Sequence, residues 1–78
     1  MATWTRKAAN ILLKIGKKDQ FLMMEIRKAI KQIEKDPIGM GNLAIAGVYF
    51  YVDSDDRFRI TYGYHPKGEV EVVAINVI

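Results

Sequence analysis

The chain has 78 residues, 50% of them apolar and 27% charged, with 12 Lys or Arg against 9 Asp or Glu and a formal net charge of +3. That length supports one hydrophobic core, and that balance is globular rather than disordered. The absence of cysteine and the single histidine exclude disulfide staples, Cys-type or multi-His metal sites and thiol catalysis, so neither a metal nor a cofactor is expected. No apolar run approaches the ~20 residues of a bilayer span, and the expectation is one cytoplasmic domain over 1–78 with no membrane partner.

Thr3, Trp4 and Thr5 favour a short opening strand. Trp4, Ala8, Ile11, Leu12 and Ile15 recur with the period of one helix face, and Gly16 is expected to end that helix. Asp19 is the expected N-cap of a second helix, with the apolar stripe Leu22, Ile26, Ala29, Ile30 and Ile33. Arg27, Lys28, Lys31, Glu34 and Lys35 form its polar side. Pro37 stops it, because the residue before a proline is pushed out of the α region. A short loop at 16–18 makes the two helices an antiparallel hairpin, and 38–42, with its glycines, reads as a connector.

From Leu43 the chain turns extended, with Val48, Phe50 and Val52 alternating with Tyr49 and Tyr51. Residues 53–56 are a polar turn, and 57–64 are a strand with Phe58, Ile60, Tyr62 and Tyr64 on one face. Residues 65–68 turn again, and 70–78 form a last strand whose apolar residues on both faces suit a central position. The expected class is α+β in the order β-α-α-β-β-β: a short N-terminal strand, an antiparallel helix hairpin and a three-stranded antiparallel meander. One sheet face packs on the helices through Trp4, Ile11, Leu12, Ile15, Leu22, Ile26, Ile30, Ile33, Phe58, Ile60 and Tyr62.

Charge is divided unevenly. Residues 1–35 carry nine basic and three acidic side chains, a balance of +6, whereas 36–78 carry three basic and six acidic, a balance of −3. The basic part suits a nucleic acid or an acidic protein segment; the plainer reading is a solvated Lys-rich helix surface. Met23 and Met24 widen the apolar arc of the second helix; packing is their simpler role, and with Arg27 and Lys31 they also mark a partner surface. Turning Phe58, Ile60 and Tyr62 toward the helices turns Arg57, Arg59 and Thr61 outward. The same rule on the preceding strand buries Val48, Phe50 and Val52 and exposes Tyr49 and Tyr51. Tyr49, Tyr51, Arg57 and Arg59, with Lys67 nearby, then have the parts to bind RNA, since guanidinium groups pair with phosphates and rings stack on bases. The plainer alternative is cross-strand packing, with Glu69 or Glu71 neutralising the arginines. His65, beside Lys67 in a turn, is either an acid–base group or simply solvated.

The segments Leu43-Ala-Ile-Ala-Gly47-Val-Tyr49, Asp56-Arg-Phe-Arg59-Ile-Thr-Tyr62 and Val70-Glu-Val-Val-Ala-Ile75, behind two amphipathic helices, resemble the RelE/ParE toxin superfamily over nearly the whole chain. The resemblance implies a plasmid-stabilisation type of toxin with a cognate antitoxin as partner. RelE-like members are mRNA interferases, endoribonucleases that cut mRNA in the ribosomal A site; ParE-like members inhibit DNA gyrase. Arg59 falls on the arginine of the aromatic-Arg-x-x-Tyr element, which implies a catalytic role, with Arg57 and His65 as further candidates. Tyr49 and Tyr51 stand where active nucleases often bear basic residues, so the resemblance implies an incomplete catalytic set. The expected function is inhibition of translation by ribosome-dependent mRNA cleavage or A-site binding. The alternative is a non-enzymatic ParE-like gyrase inhibitor, or a catalytically decayed homologue that binds an antitoxin.

Overall fold

The Thr5 hydroxyl does two things at once. It accepts from the Ala8 amide at 3.1 Å, capping a helix, and it donates to the Val73 carbonyl at 2.9 Å, tying that helix start to the sheet. The structure, a computed structural model, describes residues 2–65 and 68–78. It places β1 at Thr3–Trp4, α1 at Arg6–Lys18 and α2 at Gln20–Lys35.

Gly16 does not end the first helix. α1 continues to Lys18, and the turn is Asp19 alone: its amide donates to the Ile15 carbonyl at 2.7 Å and its carboxylate accepts from the Leu22 amide at 3.0 Å. Gly16 provides clearance instead, because a Cβ there would lie 2.5 Å from the Met23 sulfur. Pro37 stops α2 as expected, but it then opens a further helical turn where a connector was expected. This α3 spans Pro37–Met40, with Asp36 accepting from the Gly39 amide at 3.0 Å.

The strands that follow are β2 (Asn42–Ile45), β3 (Val48–Val52), β4 (Phe58–Tyr64) and β5 (Val70–Val77). The stretch from Leu43 is therefore a hairpin around Ala46 and Gly47, the glycine taking a φ of +76° that side chains rarely adopt. This adds one strand to the expected meander. The sheet has five strands in the order β1-β5-β4-β3-β2, with β1 parallel to β5 and the other pairs antiparallel.

Helix residues Ala8, Leu12, Ile26, Ala29, Ile30 and Ile33 meet Phe58, Ile60, Tyr62, Val70, Val72 and Ile75 in one buried cluster. Trp4, Ile11, Ile15 and Leu22 pack half-buried at its margin. Full burial of one such aliphatic or aromatic side chain contributes about 1.5–3 kcal/mol. The Tyr62 hydroxyl donates to the Pro37 carbonyl, and burial, with smaller contributions from Tyr49 and Asp36, pushes its pKa up to about 12. A Cβ on Gly41 would collide with that hydroxyl, so the close approach of α3 and β2 to the core needs glycine.

Candidate functional site

Strand register decides which side chains share the sheet face turned away from the helices. Across the β3–β4 ladder Tyr49 stands opposite Tyr62 and Tyr51 opposite Ile60, while Phe50 stands opposite Thr61 and Val52 opposite Arg59. Residues directly opposite share a face. Tyr49 and Tyr51 therefore lie on the helix side, contrary to the expectation that they stand exposed beside the arginines. Tyr49 stacks on Tyr62 with centroids 5.7 Å apart and meets Tyr64 edge-on at 6.4 Å. Tyr51 tilts against Phe58 at 6.4 Å. Both alternating sets of β3 are apolar enough to pack, so pairing with the buried Ile60 and Tyr62 makes the choice. Val48, Phe50 and Val52 go to the open face.

Rows of paired residues cross that face. One holds Thr3, Glu71, Gly63 and Val48; the next Ala74, Thr61, Phe50 and Asn42; the next Asn76, Arg59 and Val52. The Arg59 guanidinium lies over the Phe50 ring, 4.2 Å from its centroid. Among the described residues the ion pairs are those of Arg57 with Asp53 and Asp55, so Arg59 is held by an aromatic face and not by a carboxylate. Its N–H edge is left to accommodate an oxyanion such as a phosphate.

The other catalytic candidates do not join it. Arg57 donates from Nε to Asp53 at 2.8 Å and from its amide to the same carboxylate at 2.6 Å. Burial pushes the Asp53 carboxyl up, but the Arg57 hydrogen bonds and charge outweigh it and hold the group below its ordinary value. Arg57 thus closes the β3–β4 turn, where it was expected to face outward with Arg59. His65 is exposed beyond the opposite end of β4, six residues on from Arg59, or ~20 Å at the rise of a strand. Lys67, expected near the RNA-binding set, lies outside the described residues. Sequence reasoning gave Glu71 only a neutralising role, yet Glu71 sits half-buried on the open face two rows from Arg59. Its place between the buried Val70 and Val72 was the available signal. Phe50 was missed because the sense of β3 was inverted.

Solved structures share this architecture. The isolated E. coli RelE toxin matches with a TM-score of 0.78 and 12% identity, over 99% of this chain and 82% of that one. The RelE/ParE toxin fold is the fold of this chain. A structure of the intact E. coli RelBE toxin–antitoxin complex matches at 0.79 and 15% identity, over 100% and 95% of the two chains. The YoeB/ParE toxin from Agrobacterium tumefaciens matches at 0.78 and 18% identity, over 99% and 96%. No protein-family model and no curated protein matches the sequence.

Within the RelE/ParE fold, the expected partner residues spread along α2. Arg27 and Lys31 share a groove of about 360 Å³ between α1 and α2 with Trp4, Leu13, Ile30 and Glu34. Met23 lines a neighbouring depression with Leu13, Gly16 and Lys17. Met24 stands beside Phe21 further out, the two 64% and 65% exposed. Leu13 and Phe21 are apolar surface that the sequence reading did not mark. Among the described residues no helix is long and apolar enough to cross a membrane.

Proposed function

We propose that this protein is the toxin of a toxin–antitoxin pair, that it acts in the cytoplasm by binding RNA in the ribosomal A site, and that a small protein antitoxin holds it inactive. The observation that carries the reading is Arg59: in a chain with the fold of RelE, it is a guanidinium on the open sheet face with no carboxylate partner among the described residues. It has the charge and the planar donor geometry for a phosphodiester. The groove between α1 and α2, floored by Leu12 and Ile30, flanked by the exposed Leu13 and bordered by Arg27, Lys31 and Glu34, suits an amphipathic antitoxin segment with acidic side chains, consistent with the +6 balance of residues 1–35.

Cleavage at a 2′-hydroxyl also needs a base and an acid, each worth ~10²–10⁴-fold in rate. Arg57 and His65 are not at Arg59, and Glu71 is two rows away, so any endoribonuclease activity is weak. That same sparseness favours a second reading, a ParE-like gyrase inhibitor or a decayed homologue that retains only antitoxin binding. Inducible expression separates them: the first reading expects arrest of protein synthesis with unchanged DNA supercoiling. Loss of supercoiling control with continued synthesis replaces it with the gyrase reading, and growth unaffected in both respects leaves the decayed homologue.

A further inference from the structure

Between Asp36 and Asp53 lie sixteen consecutive residues without a charged side chain, in a chain that is 27% charged overall. They are α3, β2 and β3, one whole margin of the sheet. Among the described residues β2 pairs with β3 on one side and with no strand on the other. Its outward N–H and C=O groups are a template for another strand. Ile38, Leu43 and Ile45 are 61%, 62% and 68% exposed there. By register Leu43 shares the helix-side face with Tyr49, and Ile45 shares the open face with Val48. Proteins commonly guard such an edge with lysine, with proline within the strand or with an inward charge. β2, Asn42-Leu-Ala-Ile45, has none of these; its guards are its four-residue length and the irregularity between Leu43 and Ile45.

We propose that the β2 edge is a homotypic docking surface, on which a second copy of this chain pairs antiparallel to give a two-fold dimer with one continuous sheet. An antiparallel edge is self-complementary about a two-fold axis, so residue contacts are reciprocal without further design. Leu43 and Ile45 flank the seam on opposite faces and supply an apolar contact on each side from both copies. Charge argues for a like copy. The chain carries +3, its excess lies in residues 1–35, and two such molecules repel least where each is uncharged. A partner selected by charge would seat on the basic helices and find nothing to select at β2. A four-residue strand with three apolar side chains falls short of the ~1,000 Å² of a stable interface, and the irregularity at Ala44 shortens the ladder, so the dimer is weak. Arg59, two strands inward, stays clear of the seam, and the dimer does not depend on the toxin reading.

Sedimentation velocity on the full chain from micromolar to millimolar concentration, at low and high salt, tests this. The expected result is a reversible monomer–dimer equilibrium that is unchanged or strengthened by salt, because screening relieves the net charge and leaves an uncharged seam untouched. Ile45→Lys, and independently Leu43→Lys, should each weaken it at least about tenfold by bringing like charges together. Both sites are exposed, so thermal unfolding of the monomers should be unchanged; Phe21→Lys on α2 should leave the dimer intact. A chain that stays monomeric to millimolar concentration overturns the proposal. So does association that weakens with salt, or association that survives both β2 variants, whether or not Phe21→Lys abolishes it.

Discussion

The two faces of this sheet are built from the same strands and have opposite fates. On the helix side, Phe58, Ile60, Tyr62, Val72 and Ile75 are almost wholly removed from solvent, and Tyr49 and Tyr51 add aromatic contacts to them. On the other side, Arg59 over Phe50 is surrounded by Thr61, Ala74, Asn76 and Val52, with no second layer. One face holds the fold together; the other faces solvent. The difference teaches that the tyrosines of β3 serve the fold, and that the open face keeps one guanidinium, Arg59, with Glu71 two rows away.

Substitutions on the packed face should have the largest effects. Ile60→Ala should cost about 2–5 kcal/mol in urea unfolding, since Ile60 is completely buried and its truncation leaves a cavity in the core. A cost below about 1 kcal/mol would mean that the two faces are less different than their burial implies. Next is the Tyr62 anchor. Gly41→Ala should cost about 1–3 kcal/mol, because the new methyl meets the Tyr62 hydroxyl. Tyr62→Phe should cost only about 1 kcal/mol, the value of one hydrogen bond, and in that background Gly41→Ala should hurt less.

How much of this was legible in the sequence differs between elements. The α2 stripe, the Asp19 cap and the outward sense of Arg59 follow from period and chemistry, and the structure has them. The sense of β3 was not legible. Val48-Tyr-Phe-Tyr-Val52 is apolar or aromatic at every position, so alternation identifies a strand without saying which side faces the core. Only the non-local pairing to β4 settles it, and a one-residue slip reverses every side chain. Gly16 misled for a related reason: its role is clearance for Met23 on the next helix, a contact no local pattern encodes. Arg57 looked like Arg59 by alternation, but Asp53 captures it because the turn closes there.

That capture has a pH signature. The folded Asp53 carboxyl lies below its ordinary value of 3.8, so its contribution is complete above that value and is lost as the pH falls through the folded value. Asp53→Ala should cost about 1–3 kcal/mol at neutral pH, chiefly by stranding the Arg57 amide, and should flatten the acid limb of the stability profile. An unchanged acid limb would detach Asp53 from the turn's stability. The smallest effect on folding belongs to the open face: Arg59→Ala should change unfolding stability by no more than about 0.5 kcal/mol.

In vitro translation with the wild-type chain, Arg59→Ala and Tyr51→Phe, with mRNA ends mapped by primer extension, tests most directly whether the open face is the working face. Arrest by the wild type with little or no cleavage, loss of arrest in the equally stable Arg59→Ala, and full arrest by Tyr51→Phe is the predicted result. Arrest that persists in Arg59→Ala, or that is lost in Tyr51→Phe while the protein remains folded, would contradict it.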